Sequence, residues 1–168
     1  AVPEAPWEEW GLEDPRVVYL EDLEGFAITY TAYSSSGPKV ALAFTKDFES
    51  CDKAGVISGP EDKDAALFPE KIGKYYYMIH RPIVNGEANM WISRSEDLVN
   101  WKDSVMFLSR RPGCWDSDRV GLGPPPIKTE KGWLIFYHGV RRTGAGPVYR
   151  VGAALLDLER PWQVIARS

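Results

Sequence analysis

The chain has 168 residues, of which 44% are hydrophobic and 26% are charged. This length and this hydrophobic content are enough for one globular domain with a packed core. Its net charge of -4 and its lack of a Lys/Arg-rich stripe argue against a nucleic-acid partner, which would need a basic surface. No apolar run approaches the length of a membrane span, so we expect no membrane association.

The two cysteines, Cys51 and Cys114, are too few for a secreted disulfide scaffold. We expect both to be free thiols in a reducing compartment, with one disulfide between them as the open alternative. The opening stretch AVPEAPWEEW is acidic where a signal peptide would be basic. These features predict a cytoplasmic location.

Three segments repeat one order of elements, approximately over residues 11–56, 62–109 and 116–166. Each begins near a proline, at Pro15, Pro69 or Pro126, and the prolines are roughly 55 residues apart, within the range of propeller blades. An aromatic-rich run follows a glycine turn in each copy: FAITYTAY, YYYMIHR and WLIFYHGV. A second apolar run and a related heptapeptide close each copy: TKDFESC, SEDLVNW and LDLERPW. These short runs, bounded by Gly or Pro, predict strands, and no long segment has the 3.6-residue period of an amphipathic helix.

The predicted fold is therefore all-β, with four strands in each unit and the units arranged radially as the blades of a β-propeller. A β-sandwich of the same strands is the alternative, but the matched prolines, glycines and heptapeptides favour a propeller. Three blades do not close a ring, because propellers have about 4–8 of them. We expect either a piece of a longer protein or assembly with other copies as a homo-oligomer.

In a propeller the first strand of each blade lines the central channel, and charged residues stand at the start of each unit here. They are Glu13, Asp14 and Arg16 in the first unit, Asp64, Glu70 and Lys71 in the second, and Asp116, Arg119 and Lys128 in the third. The next strands add His80, Arg81 and His138. Since His80 and His138 follow Pro69 and Pro126 at nearly the same interval, we predict that they occupy equivalent places.

This set of side chains has a chemical logic. A carboxylic acid can protonate a leaving group, and clustered Lys, Arg and His side chains can bind an oxyanion such as phosphate. A metal site is not predicted, because no HxH or HExxH spacing exists. The structural alternative is that the charges form ion pairs between blades and that the histidines are hydrogen-bonded within strands.

Four stretches of the chain, GLEDPRV, ALFPEKIGKYYYMIHRP, WDSDRVGLGPPPIKTEKGWLIFYHGV and YRVGAALLDLERPWQVIARS, resemble glycoside hydrolase family 130. That family comprises β-mannoside phosphorylases and related hydrolases with a five-bladed β-propeller fold. The resemblance covers nearly the whole chain. It implies a single partial propeller domain over residues 1–168, of about three blades.

The resemblance also implies an activity: inverting phosphorolysis of β-mannosides, here β-1,4-mannosyl oligosaccharides, to give α-mannose 1-phosphate. It implies that Asp14 is the general acid, relaying its proton through a mannose hydroxyl, and that inorganic phosphate is the co-substrate, with no cofactor. It assigns phosphate binding to Lys71, Arg81 and His138, and sugar binding to His80, Asp64 and Asp116.

Two other functions stay open on the sequence. An inverting hydrolase of the same fold would use Glu70 or Asp116 to activate water. A non-catalytic propeller would bind carbohydrate without turnover. The loop around RRTGAGPVY is expected to choose the leaving-group sugar.

Overall fold

The chain forms three antiparallel sheets, seen in a computed structural model that describes residues 3–59 and 61–168. The first sheet consists, in spatial order, of β1 (Gly11–Leu20), β2 (Gly25–Ser34), β3 (Gly37–Thr45) and β4 (Asp52–Val56). The second consists of β5 (Asp62–Leu67), β6 (Tyr76–Val84), β8 (Met90–Ser95) and β9 (Lys102–Leu108), with the short β7 (Glu87–Ala88) paired to β6. The third consists of β10 (Arg119–Leu122), β12 (Gly132–Thr143), β13 (Gly146–Leu156) and β14 (Val164–Arg167), with β11 (Ile127–Thr129) paired to β12.

Each sheet follows the chain from its first strand to its last, which is the arrangement of a propeller blade. The prediction of an all-β fold of the five-bladed propeller type, with three blades in this chain, is confirmed. The described helices are two 3₁₀ turns, Pro6–Glu8 and Glu21–Leu23. No helix in the described residues is long and apolar enough to cross a bilayer. Cys51 and Cys114 are both exposed and unpaired.

The repeated heptapeptide is a turn closed by one aspartate in each blade. Asp47 accepts backbone N–H groups of Glu49 and Ser50 at 2.9 and 3.0 Å. Asp97 does the same for Val99 and Asn100, and Asp157 for Glu159 and Arg160, at 2.8–3.0 Å. An Asp side chain that caps its own backbone in this way fixes a tight turn. Each copy of the heptapeptide therefore forms the turn that connects the third and fourth main strands of its blade.

Two hydrophobic layers join the three blades. One layer, between the first and second blades, is built on Leu20, Leu42, Leu67 and Met78, which are each no more than 1% exposed. The other, between the second and third blades, contains the aromatic residues Phe68, Tyr77, Trp133 and Tyr137. Phe68 packs edge-on against Trp133, with ring centroids 5.0 Å apart. Burial of large apolar side chains of this kind is the main favourable term in holding the blades together.

The first strands of the three blades converge on one region. Arg16, on β1, reaches across to the third blade and donates hydrogen bonds to the carbonyl oxygens of Leu122 and Gly123, at 2.8 and 2.6 Å. Its side chain is only 13% exposed. A buried guanidinium needs such acceptors, because an unpaired charge in the interior is costly. Arg16 therefore ties the start of the first blade to the third blade at the centre of the molecule.

Candidate active site

A cavity of about 560 Å³ opens where the first strands of the blades meet. It is lined mainly by charged side chains. Asp14, Lys63, Asp64, Arg81, Ile83, Gly86, Ala88, Asp118, Arg119, His138, Arg142 and Tyr149 form its wall. Residues of all three blades contribute, so the site exists only when the blades are assembled around it.

Asp14 reaches this cavity because β1 is irregular at that point. The pairing of β1 with β2 shifts between Glu13 and Arg16, and Asp14 has a left-handed backbone with φ of 52°. Such a bulge adds a residue to one strand and redirects its side chain. Arg16 Nη1 donates to the backbone carbonyl of Asp14 at 3.0 Å, which holds the bulge. The carboxylate of Asp14 is consequently exposed at the mouth of the cavity.

Asp64 occupies the corresponding bulge of the second blade. Its φ is 53°, and the pairing of β5 with β6 shifts between Lys63 and Ala66. Unlike Asp14, Asp64 is buried, with 3% exposed. Its carboxylate lies 3.1 Å from Arg81 Nη1, 3.6 Å from His138 Nε2 and 3.8 Å from Arg16 Nη2. Asp64 is therefore the counter-ion around which the basic groups of the cavity are arranged.

Lys63 and Arg81 supply positive charge that is available to a ligand. They are register partners on β5 and β6 and line the same cavity. Arg81 is 6% exposed, and its Nε has no hydrogen-bond partner among the residues that the structure describes. Within residues 3–59 and 61–168, the Lys63 ammonium has no ion-pair or hydrogen-bond partner either. A lysine ammonium without a protein partner beside an arginine favours the binding of an anion in the cavity.

His138 stands on β12 opposite Gly121 of β10. Burial lowers the pKa of the His138 imidazole, and the nearby Arg81, Arg16 and Arg119 lower it further, against the opposing effect of Asp64. The ring is therefore neutral at pH 7. A neutral imidazole can donate one hydrogen bond and accept another, so it can serve a phosphate or a sugar hydroxyl.

The rim of the cavity is built by the third blade. Arg119 Nη2 donates to the Tyr149 hydroxyl at 2.6 Å, and the Tyr149 ring lies 5.9 Å from the His138 ring. Arg142 Nε donates to Asp118 at 2.9 Å, and Asp118 lies 3.3 Å from Arg119. These contacts link β10 with the β12–β13 hairpin on one side of the cavity.

Four of the seven residues that the sequence assigned to the site meet in this cavity: Asp14, Asp64, Arg81 and His138. His80 does not. It is 6% exposed and bonded inside the second blade, with Nδ1 2.7 Å from Asp62 and Nε2 2.8 Å from Ser93. The expected equivalence of His80 and His138 is off by one residue. Arg81 follows Pro69 by 12 residues, as His138 follows Pro126, and a shift of one position reverses the face of a strand.

Lys71 also lies away from the cavity. Its ammonium is 2.8 Å from Asp22 and 4.4 Å from the centroid of the Tyr76 ring. Tyr76 begins β6, whereas Arg81 is five residues further on, about 16 Å along a strand at its usual rise per residue. The structure therefore gives Lys71 a surface ion pair between the first and second blades, and the lysine that lines the cavity is Lys63.

Asp116 is fully buried and does not line the cavity. Its carboxylate accepts hydrogen bonds from Arg111 Nε at 3.0 Å and Arg167 Nη2 at 2.7 Å, and from the Tyr137 hydroxyl at 3.4 Å. With all these donors, it has little capacity left for a sugar. Asp116 instead joins the loop before β10 to β14.

The sequence prediction missed Lys63 and Asp118 as site residues, and it named the loop that contains Arg142 and Tyr149 only as the expected determinant of the leaving-group sugar. A signal for Lys63 was present, since aligning the units on Asp14 and Asp64 rather than on the prolines sets Lys63 against Glu13. Arg142 and Tyr149 flank a hairpin loop, and no repeat pattern marks them. Within the described residues, no three His, Cys, Asp or Glu side chains converge as a metal site would require.

The three blades and their charged central cavity define a β-propeller with an axial site for a polar ligand. The chain belongs to glycoside hydrolase family 130, whose model, described as beta-1,4-mannooligosaccharide phosphorylase, matches residues 1–168.

Similar proteins are named mannoside phosphorylases. The chain is 44% identical over 164 residues to a beta-1,2-mannobiose phosphorylase of Listeria innocua serovar 6a, covering 96% of this chain and 45% of that protein. It is 42% identical to a 1,2-beta-oligomannan phosphorylase of Thermoanaerobacter sp. (94% and 51% covered) and 38% identical to a beta-1,4-mannooligosaccharide phosphorylase of Ruminococcus albus (93% and 47% covered). The solved Listeria innocua enzyme in complex with beta-1,2-mannobiose superposes with a TM-score of 0.91 at 44% identity, covering 99% of this chain and 46% of that one. The chain thus spans about half the length of the relatives it matches.

Proposed function

We propose that the protein cleaves β-mannosides with inorganic phosphate, inverting the anomeric centre to release α-mannose 1-phosphate. One observation carries the proposal: the side chains of Lys63 and Arg81 line the same cavity as the exposed Asp14. A cationic pocket beside a carboxylic acid suits a reaction in which an oxyanion attacks and an acid assists departure.

In the proposed reaction, phosphate lies against Lys63 and Arg81, with His138 beside it. A phosphate oxygen attacks C1 of the mannosyl ring from the face opposite the leaving group, forming the new C–O bond as the glycosidic C–O bond breaks. Asp14 supplies the proton that the leaving oxygen takes up. Phosphate here takes the position that water has in an inverting hydrolase, so a β-linkage yields an α-phosphate.

Asp64 supports this arrangement without being consumed in it. Its carboxylate offsets part of the charge of Arg81 and Arg16 before phosphate arrives. Four cationic side chains (Lys63, Arg81, Arg119 and Arg142) and three carboxylates (Asp14, Asp64 and Asp118) line the cavity, so the cations exceed the carboxylates by one. An anion is therefore favoured there.

The proposal also specifies which glycosidic linkage of the mannoside is cleaved. The sequence prediction named β-1,4-mannosides, as does the description of the family model. The relatives at 44% and 42% identity are named for β-1,2 linkages, and the one at 38% for β-1,4. We therefore propose a β-1,2-linked mannoside as the substrate, with the β-1,4-linked compound as the direct competitor.

The test uses the complete protein with β-1,2-mannobiose or β-1,4-mannobiose, each with and without phosphate. ³¹P NMR should show α-mannose 1-phosphate forming faster from the β-1,2 compound. Asp14→Asn should lower the rate by roughly 10²- to 10⁴-fold, the usual contribution of a general acid. Equal release of mannose with and without phosphate would replace the proposal with a hydrolase, and sugar binding without turnover would replace it with a carbohydrate-binding propeller.

A further inference from the structure

A chain of four polar side chains crosses the second blade, with one member on each of its four main strands. Asp62 lies on β5, His80 on β6, Ser93 on β8 and Ser104 on β9. Asp62 Oδ2 is 2.7 Å from His80 Nδ1, and His80 Nε2 is 2.8 Å from Ser93 Oγ. Ser93 Oγ in turn hydrogen-bonds Ser104 Oγ. We call these four residues the relay.

Hydrogen bonds join the relay from Asp62 to Ser104. Because an ionised carboxylate only accepts, the His80 Nδ1–H donates to Asp62. On the other side of the ring, Nε2 is hydrogen-bonded to the Ser93 hydroxyl, which also bonds Ser104 Oγ. Each bond polarises the next, so the chain is stiffer than separate pairs would be.

Burying the relay costs free energy unless each of its polar groups has a hydrogen-bond partner. Asp62, His80 and Ser93 are 3%, 6% and 3% exposed. Well-packed apolar residues often replace a buried polar set without loss of stability, so stability alone is a weak explanation for these four side chains. The site cavity is lined by neither serine, so the set is not placed to act as a nucleophile.

The relay ends on the residue that the proposed phosphate site needs. The second oxygen of Asp62, Oδ1, accepts the backbone N–H of Arg81 at 3.1 Å. His80 immediately precedes Arg81, so one oxygen of the Asp62 carboxylate holds the His80 ring and the other holds the Arg81 backbone. Because successive side chains of a strand point to opposite faces, the Arg81 side chain lies on the other face from His80, where it lines the cavity.

The outer end of the relay also depends on a backbone irregularity. The pairing of β8 with β9 shifts between Ile92 and Arg94, opposite a left-handed Asp103 with φ of 54°. This bulge stands directly before Ser104, an exposed residue that nevertheless reaches Ser93. A bulge commonly serves to redirect one side chain, which here completes the relay.

We propose that the relay is a positioning device: Asp62 and His80, braced by Ser93, fix the backbone at Arg81 so that its guanidinium meets phosphate. The inference rests on the proposed function, because it concerns the same site. The relay residues touch neither phosphate nor sugar, and they act through Arg81. Displacing a binding group by about 1 Å can cost as much as roughly a hundredfold, so even partial loosening should be measurable.

The experiment compares Ser93→Ala with Ser95→Ala in the complete protein. Both remove a buried hydroxyl from β8, but Ser95 bonds Asp97 in the turn at the far end of the strand. Phosphate affinity is measured by calorimetry with inorganic phosphate, and KM for phosphate and for mannoside by kinetics. We expect Ser93→Ala to weaken phosphate binding about tenfold at unchanged mannoside KM, and Ser95→Ala to leave both unchanged.

A second variant, Asp62→Asn, keeps an acceptor for Arg81 N–H but removes the charge that orients His80. It should weaken phosphate binding at least as much as Ser93→Ala, and hydrogen exchange of the Arg81 amide should quicken in both variants. Unchanged phosphate affinity in both, or equal weakening by Ser95→Ala, would overturn the positioning role alone. A wild-type protein that binds no phosphate would overturn the proposed function and the relay's role together.

Discussion

Asp64 Oδ2 and His138 Nε2 lie 3.6 Å apart, and both are next to the side-chain position of Gly121, which belongs to a third strand, β10. A side chain at position 121 would occupy the space in which they meet. The absence of a side chain at Gly121 on β10 therefore shapes the wall of the cavity as much as Asp64 on β5 and His138 on β12 do.

The first prediction concerns Gly121→Ala. The added Cβ would collide with Asp64 Oδ2 and lie 2.6 Å from the His138 ring, so these groups must move apart. We expect a loss of about 1–3 kcal/mol in the free energy of unfolding, as for other overpacked sites, together with weaker phosphate binding. Urea denaturation and phosphate titration measure the two effects. Gly144→Ala is the control, because nothing lies within 4 Å of its Cβ; an unaltered phosphate affinity in Gly121→Ala would show that the wall tolerates displacement.

The second prediction separates two lysines. Lys63→Gln should raise the KM for phosphate by about tenfold, because it removes a cation without a protein partner from the cavity. Lys71→Gln should leave it unchanged, because Lys71 pairs with Asp22 at the surface. Such exposed pairs contribute roughly 0–1 kcal/mol to stability. Steady-state kinetics at varied phosphate distinguish the variants, and the opposite pattern would restore Lys71 as the phosphate ligand.

The third prediction concerns the bridge from the first blade to the third. Arg16→Lys keeps the charge but replaces three separate guanidinium nitrogens, which donate to the carbonyls of Asp14, Leu122 and Gly123, with one ammonium nitrogen. We expect a loss of about 1–3 kcal/mol in stability, since buried acceptors are left without donors, and a lower kcat as the Asp14 bulge loosens. Arg160→Lys, at an exposed turn, should change neither quantity. Wild-type stability and kcat in Arg16→Lys would mean that the bridge is dispensable.

The fourth prediction is a pH dependence. The pKa of His138 in the folded protein is below its ordinary value of 6.5, chiefly because of burial. The unfolded chain therefore takes up a proton at a higher pH than the folded one, and stability falls as pH drops through 6.5 towards the folded pKa. The slope for one proton is at most about 1.4 kcal/mol per pH unit. Urea denaturation from about pH 8 to pH 5 should show a shallower decline for His138→Gln; identical slopes would place the titrating group elsewhere.

Much of the fold could be predicted because the information is local. Short apolar runs between Gly and Pro predict strands, and the heptapeptide with Asp47, Asp97 or Asp157 marks the same turn three times. Counting these repeats was enough to propose blades. The bulges at Asp14 and Asp64 were not predictable, since a left-handed backbone at an aspartate leaves no clear mark in sequence.

The candidate site was predicted less well, because strand side chains alternate and an interval wrong by one residue selects the wrong face. That error made His80 the expected equivalent of His138 and a sugar ligand, although Arg81 was correctly grouped with His138. Asp116 failed for another reason: its partners Arg111 and Arg167 are far apart in the chain, and only folding reveals that they enclose it. Exposure, which separates a ligand-binding charge from a structural one, is a property of the assembled blades.

Asp14 and Asp64 show how neighbouring residues decide the environment of one repeated backbone feature. The same kinked strand start recurs in adjacent blades and presents an acidic group in each, yet solvent reaches one and basic neighbours enclose the other. The same local backbone thus yields an exposed carboxylate at the mouth of the cavity and a buried counter-ion within it. Moving the proposed general acid to another blade would then require changing the neighbours of an existing aspartate rather than adding a new one.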